Sequence, residues 1–268
     1  ITNYHNRGDS TFEGESSTFG DFFGLDDVFT EKLEVVAGWT KVWQDWITKF
    51  DIDGYRIDTA KHVNPEFWQA FLPAVLKTAK AAGKSYFPIY GEVYDTDPNN
   101  LSKFVTDYKF PGVLDFAFQA AASKYATFGN GEQDLLDLFN QDDLYTTATT
   151  SAYGLTTFLD NHDMSRFYSI VNEDFTKFKS GMAMLLTMRG VPQMYYGDET
   201  LKNLIRHSRD LRNYMTKYKE VMELLEDQEQ IIEEDIDDED EITETAENNE
   251  EKEKLASTAG KTVFYPGT

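Results

Sequence analysis

The sequence predicts an α/β fold built on a parallel sheet, and three observations carry that reading. From Glu31 to about Thr200, short strand-like runs alternate with longer helical stretches. The repeat is roughly 30–40 residues, as expected of βα units with right-handed crossovers. No glycine-rich phosphate loop of the G-x-G-x-x-G or G-x-x-x-x-G-K-[ST] kind is present, and acids close several of the strands instead. A doubly wound sheet and part of a (β/α)8 barrel both satisfy the alternation. Acids at the C-terminal ends of several different strands are how barrels build active sites, so a partial barrel is the expected architecture.

The elements follow in chain order. Residues 1–30 are rich in Gly, Ser and Phe without periodicity, and are expected to form an irregular loop or the remnant of an inserted domain. Arg7-Gly8-Asp9 within them is expected to be a solvated turn rather than an adhesion motif. A helix over Glu31–Lys49 is predicted from Leu33, Val36, Trp39, Trp43, Trp46 and Ile47 at mostly three-and-four spacing, and Ile52–Asp58 reads as the first strand. Asn64 and Pro65 open a second helix, Pro73 is expected to kink it, and Gly83 closes it after Ala82. Further strands are predicted at Tyr86–Tyr90, around Val113–Phe116, at Leu155–Leu159 and from Val191 to Tyr196. Helices are expected near Gln133–Asn140 and over Glu173–Met188.

Residues 31–200 would thus form the partial barrel. In residues 201–268, Leu204, Leu211, Tyr218, Leu225 and Ile232 recur every seventh position, predicting an amphipathic C-terminal helix followed by an acidic tail and an orphan strand at Val263–Tyr265.

With 40% apolar and 27% charged residues, the 268-residue chain has the composition of a folded protein. No apolar run is long enough to span a membrane. The absence of Cys rules out disulfides, thiolate metal sites and cysteine nucleophiles. Most of the net charge of -23 lies between Glu223 and Glu253, which hold seventeen acids against one base, Lys252. No basic stripe is available to neutralise phosphates, so nucleic acid is excluded as an expected partner. Ile1 followed by polar Thr2-Asn3-Tyr4-His5 lacks a signal-peptide core, so the chain reads as a mature or excised piece.

Three segments place an acid with polar companions where a strand gives way to a loop. They are Asp53–His62 (DGYRIDTAKH), Tyr90-Gly91-Glu92-Val93 and Phe158-Leu159-Asp160-Asn161-His162-Asp163. Carboxylates gathered in one pocket separate into a proton donor and an ionised base or nucleophile, because mutual repulsion and burial raise one pKa while a nearby Arg lowers another. Glycosidic hydrolysis needs such a pair. Arg56 lies two residues before Asp58 and on the same face of the strand, so it is positioned to keep Asp58 ionised. Trp43, Trp46 and Trp68, at helical spacing, are expected to be core, whereas Tyr94 just beyond Glu92 is a candidate for lining a cleft.

Together with Gly24–Glu31 (GLDDVFTE) and Gly190–Glu199 (GVPQMYYGDE), these segments form five ordered motifs over some 175 residues. The chain resembles the alpha-amylase family of glycoside hydrolases, family thirteen. The resemblance implies strands four to eight of a (β/α)8 barrel and retaining cleavage of alpha-1,4-glucosidic bonds in starch-like glucans through a glycosyl-Asp intermediate. By it, Asp58 is the nucleophile, Glu92 the general acid and base, and Asp163 the acid that binds sugar hydroxyls and stabilises the transition state. Arg56 and His162 match positions contacting the catalytic acid and the sugar, and Lys61 and His62 match the acceptor side. Asp27, with the backbone carbonyl of His62, matches positions that hold calcium, although the family's further Asn ligand would lie upstream of Ile1. An extracellular or periplasmic location is implied too.

The match departs from the family pattern in three respects. The first three strands, the first motif and the C-terminal β-sandwich have no counterpart here. An alternative expectation therefore stands beside hydrolysis: a truncated, inactive fragment that binds glucan or a partner.

Overall fold

A computed structural model of the chain describes residues 2–200. Five short strands form the core of the fold: β1 (Tyr55–Ile57), β2 (Ile89–Gly91), β3 (Gly112–Val113), β4 (Thr156–Thr157) and β5 (Val191–Pro192). All pair in parallel. β1 pairs with β2 and β2 with β3, β4 pairs with β5, and a single parallel bridge between Leu114 and Thr156 joins the two groups. Spatial order therefore equals chain order, without the reversal that marks a doubly wound sheet. The strands are shorter than the sequence suggests, because the outer residues of each predicted run turn away from the ladder. Tyr86–Pro88, for example, precede β2, and Phe158 and Leu159 leave β4 at once.

The convex face of the sheet is covered by helices. Tyr55, Ile57 and Ile89 are buried there, and the Tyr55 ring meets Trp43 edge-on at 4.4 Å. Helices α2 (Leu33–Phe50) and α3 (Pro65–Ala81) pack against each other beside β1. Pro65 begins α3 as expected and Pro73 lies within it. Asn64 precedes it without a side-chain capping bond; its amide instead binds Thr30 and Glu66. Phe67, Trp68, Phe71, Leu72 and Val75 make α3 a core helix. Helix α2 is different. Val35 and Ile47 are buried, but Leu33, Trp39, Val42, Trp46 and Phe50 are exposed, so its apolar residues exceed what α3 and β1 cover. Trp46 is accordingly not core, against the expectation from spacing.

Two helices longer than four residues appear where none is predicted. Helix α4 (Pro98–Thr106) starts on Asp97, whose carboxylate accepts from the Asn99 N–H, with Pro98 in its first turn. Helix α5 (Phe116–Phe128) starts on Asp115, which accepts from the Phe118 N–H, and stops at Gly129 with φ 65°. Phe116, expected in a strand, is thus the first residue of a helix. α5 is Ala-rich and buried on most sides, so it lacks the one-sided apolar stripe that reveals a surface helix. Helix α6 (Glu132–Asn140), the short α7 (Phe167–Ile170) and α8 (Phe175–Thr187) complete the layer. Asp174 caps α8 through the N–H groups of Thr176 and Lys177.

Residues 2–30 contain one short helix, α1 (Ser16–Phe19), and isolated bridges such as Tyr4 with Val28 and Asp9 with Asp21. Arg7-Gly8-Asp9 is solvent-exposed, as expected, but Asp9 sits in the bridge to Asp21 rather than in a turn. The predicted C-terminal helix, acidic tail and orphan strand of residues 201–268 lie outside the described residues. Among those described, no helix is long and apolar enough to cross a membrane.

The sheet is curled. Tyr90 of β2 donates its hydroxyl to Gln193 just after β5, at 3.1 Å. Three strand steps separate them, about 14 Å on a flat sheet at ~4.8 Å per step. Both side chains therefore rise from the concave face and meet across it. Beside them Leu114, Phe116 and Phe158 form a buried cluster with Tyr90 and Met164 against it.

A buried ionic group locks the outer layer. Arg189, 6% exposed, pairs with Asp115, which is wholly buried, and with Asp142 at 2.8 Å. Burial opposes the Arg189 charge, but the two carboxylates outweigh it and raise its pKa further. Replacing Arg189 by Leu is expected to cost about 3–5 kcal/mol by stranding the Asp115 charge, measured as a lower urea midpoint.

Candidate active site

The register of β1 and β2 fixes the site. Arg56 lies opposite Tyr90 and Ile57 opposite Gly91, so the next two positions, Asp58 and Glu92, stand side by side where both strands end. The ladder continues through them. Glu92 donates its N–H to Ile57 O at 2.7 Å, and its carbonyl accepts from the Ala60 N–H at 2.9 Å. The Glu92 carboxylate accepts from the Thr59 N–H at 2.8 Å. That bond holds the turn after β1, in which Thr59 adopts a left-handed conformation (φ 48°) unusual for a β-branched residue. Gly91 is required beneath it. A Cβ at Gly91 would lie 2.7 Å from the Phe110 ring and 3.1 Å from Ala60 Cβ.

Alternation puts Arg56 and Asp58 on one face, and the Arg56 guanidinium pairs with the Asp58 carboxylate as expected. Asp58 is the more open of the two, at 65% exposed against 25% for Arg56. The second guanidinium nitrogen of Arg56, Nη2, is buried with no protein partner. Lys61 donates to the carbonyl of Tyr94 at 2.9 Å and to Asp95 at 3.2 Å, tying the turn after β1 to the loop after β2. Tyr94 is exposed, with its ring edge-on to Phe116 at 4.8 Å. It stands over the apolar cluster of the concave face.

Asp163 sits six residues beyond β4, at the same end of the sheet. Its N–H donates to the buried Asn161 side chain at 2.9 Å, and its carboxylate lies 3.2 Å from His162 Nε2. Both His162 and Asp163 are open to solvent. The neighbouring Met164 packs on the same cluster as Tyr90, which lies two residues before Glu92. Asp58 and Glu92 are thus adjacent, and the Asp163 turn is linked to them through that shared cluster rather than by a direct bond.

His62 faces residues 2–30 instead of the sheet mouth. Its Nδ1 lies 2.8 Å from Ser17 O, with Phe12 and Phe22 edge-on around the ring. Asp27 is engaged by His5, which also meets Glu31 at 2.8 Å and is enclosed by Phe19 and Phe29. Burial raises the Asp27 pKa despite the favourable contact with His5. His5 already occupies the Asp27 carboxylate, and among the described residues no group of three or more His, Asp or Glu side chains converges as a metal site.

Sequence reasoning passed over Asn161, which orients Asp163, and a buried pair of acids, Asp160 and Asp198. Asp160 reads in sequence as one more strand-end acid, yet its carboxylate caps α7 by accepting from the Phe167 N–H at 2.7 Å.

The family model described as alpha amylase, catalytic domain, matches residues 2–258. The chain is 43% identical over 205 residues to an alpha-amylase of Streptomyces lividans, covering 73% of this chain and 22% of that protein. It superposes on the crystal structure of the Geobacillus thermoleovorans alpha-amylase complexed with acarbose with a TM-score of 0.65 at 30% identity, over 74% of this chain and 44% of that one. An Anoxybacillus alpha-amylase gives 0.64 at 32% identity, over 73% and 43%. The chain therefore spans less than half the length of these relatives. The likeness implies that the curled five-stranded sheet is a fragment of a (β/α)8 barrel. With the family model matched along nearly the whole sequence and the acids of its motifs gathered at one end of a parallel sheet, the chain belongs to the alpha-amylase family.

Proposed function

We propose that the chain is the part of a retaining alpha-glucan hydrolase that carries strands four to eight of the catalytic barrel. The observation that carries this reading is the side-by-side placement of Asp58 and Glu92 at the ends of β1 and β2. Neighbouring register positions on paired strands are about 4.8 Å apart. Both carboxyl groups then start from neighbouring backbone positions, within reach of one sugar ring, as a nucleophile and an acid of a retaining glycosidase must be. The Geobacillus relative was solved with acarbose, which supports an oligosaccharide or glucan ligand here.

In the proposed reaction the Asp58 carboxylate, paired with Arg56, attacks the anomeric carbon. Glu92 donates its proton to the departing glycosidic oxygen, leaving a glycosyl ester on Asp58. Glu92, now ionised, takes a proton from water as that water displaces Asp58 with retention. Asp163 and His162 hydrogen-bond the sugar hydroxyls and favour the oxocarbenium-like state. Lys61 serves the acceptor side with its ammonium fixed by Tyr94 O and Asp95. His62 acts there only through the turn it pins to Ser17. A calcium role for Asp27 and the His62 carbonyl would require His5 to release Asp27, and no step above uses an ion. Starch degradation in an extracellular or periplasmic setting completes the proposal, on family resemblance alone.

Glu92→Gln keeps an amide oxygen to accept from Thr59, so stability is expected to hold within about 0.5 kcal/mol. Release of reducing ends from soluble starch is expected to fall at least ~100-fold, the lower range for loss of a general acid. If the unaltered chain releases no reducing ends yet binds amylose, the fragment is the inactive glucan-binding module instead. Tyr94→Ala is expected to weaken amylose binding roughly two- to tenfold in affinity electrophoresis, the scale of a lost aromatic contact.

A further inference from the structure

Asp160 and Asp198 are 1% and 5% exposed, the one just beyond β4 and the other just beyond β5. Each carboxyl group is close enough to the other to feel its charge. Asp160 uses Oδ2 to accept from the Phe167 N–H, and its Oδ1 is buried without any N–H or O–H donor from the protein. Two carboxylates are acceptors only, so neither can satisfy the other inside the protein unless one holds a proton. The surroundings do not supply a full countercharge. Arg166 approaches Asp198 at 3.5 Å, but its Nη1 is spent on Tyr196 O at 2.7 Å and its plane lies over the Tyr195 ring at 3.9 Å. Glu199 adds a further negative charge nearby and is itself engaged by the Gly197 N–H at 2.8 Å. With two buried acids against one partly committed cation, retaining a proton costs less than holding two charges.

We propose that Asp160 and Asp198 share a single proton, and that this acid–carboxylate pair is a positioning unit that ties the Asn161–Asp163 turn to the loop after β5. The connectivity supports it. One end of the turn is fixed by Asp160, which binds α7 and Asp198 together, and the other by Asn161, which holds the Asp163 N–H. His162 and Asp163, which face each other and solvent, therefore project from a support that titrates. Burial pushes the Asp198 pKa up to about 8, with the Asp160 charge adding to it and Arg166 opposing; Asp160 is raised by burial as well.

The sign follows from linkage. The folded chain holds this proton more tightly than the unfolded chain, so the pair's contribution is full below the ordinary carboxyl range and is lost as pH rises through about 8. The use made of the turn rests on the glycosidase reading above; the shared proton does not.

The test uses the full chain and its Asp198→Asn variant, in which an amide replaces the shared proton with a permanent donor to Asp160. In the unaltered chain, the backbone amide shifts of His162 and Asp163 are expected to titrate together with a midpoint near 8, as a carboxylic-acid infrared band disappears. The melting temperature should fall as pH rises from the ordinary carboxyl range to about 8 and level off above it. In Asp198→Asn the band is absent, the amide shifts are flat through that range and the melting temperature holds. Should that variant fail to fold, Asp160→Asn removes the repulsion from the other side and is expected to move the same titration to lower pH, since burial then holds the Asp198 pKa up without the Asp160 charge. Amide shifts or melting curves that keep the midpoint near 8 in the variant would overturn the proposal. Glucan binding followed over the same pH range separates the two readings: no binding at any pH removes the hydrolase, while the shared proton stands or falls on the spectra.

Discussion

Everything at the candidate site depends on the backbone ladder that runs past the ends of β1 and β2. Two acids in neighbouring register would be pushed apart by their charges if only side chains held them. Here the Glu92 peptide is bonded on both sides to the chain that carries Asp58, through Ile57 O and the Ala60 N–H, and Arg56 meets Asp58 from the same strand face. The carboxylates are therefore set by main-chain hydrogen bonds that cannot rearrange without opening the sheet. Gly91 belongs to the same constraint, because only a residue without a side chain lets Phe110 and Ala60 close beneath the ladder.

The curl of the sheet turns that local pair into a wider site. The concave face presents an aromatic layer of Tyr90, Phe116 and Phe158, with Tyr94 projecting at the rim. Met164 leans on this layer, which places the exposed His162 and Asp163 at the same end as Asp58 and Glu92. A sugar ring presented to this end would meet carboxylates along one side and aromatic edges along another, the mixture of few polar and several apolar contacts that ligand clefts use.

Much of this was legible in the residues, and the failures have physical causes. The five strands, their parallel pairing and the acids at their ends follow from alternation and from the chemistry those acids need. Strand lengths do not, since Phe87 and Phe158 carry strand-like side chains but serve as packing residues outside the ladder. Helix α5 escaped because burial on most sides removes periodicity. Trp46 was misplaced because spacing identifies a helix but not which side of it finds a partner. The motif acids Asp58, Glu92 and Asp163 were visible one by one. Asp198 was not, since its meaning lies in a contact with Asp160 that only the tertiary fold creates.

The uneven cover of helix α2 gives the molecule an optical signature. Trp39 and Trp46 are 42% and 48% exposed, whereas Trp68 is 4% exposed and donates its indole N–H to Ala60 O at 3.2 Å. Trp43 lies between these extremes. Fluorescence from the native chain is thus a composite of solvent-facing and interior indoles. An aqueous quencher such as iodide would strip away the α2 emission first and leave a bluer residue from Trp68, directly beneath the turn that holds Thr59.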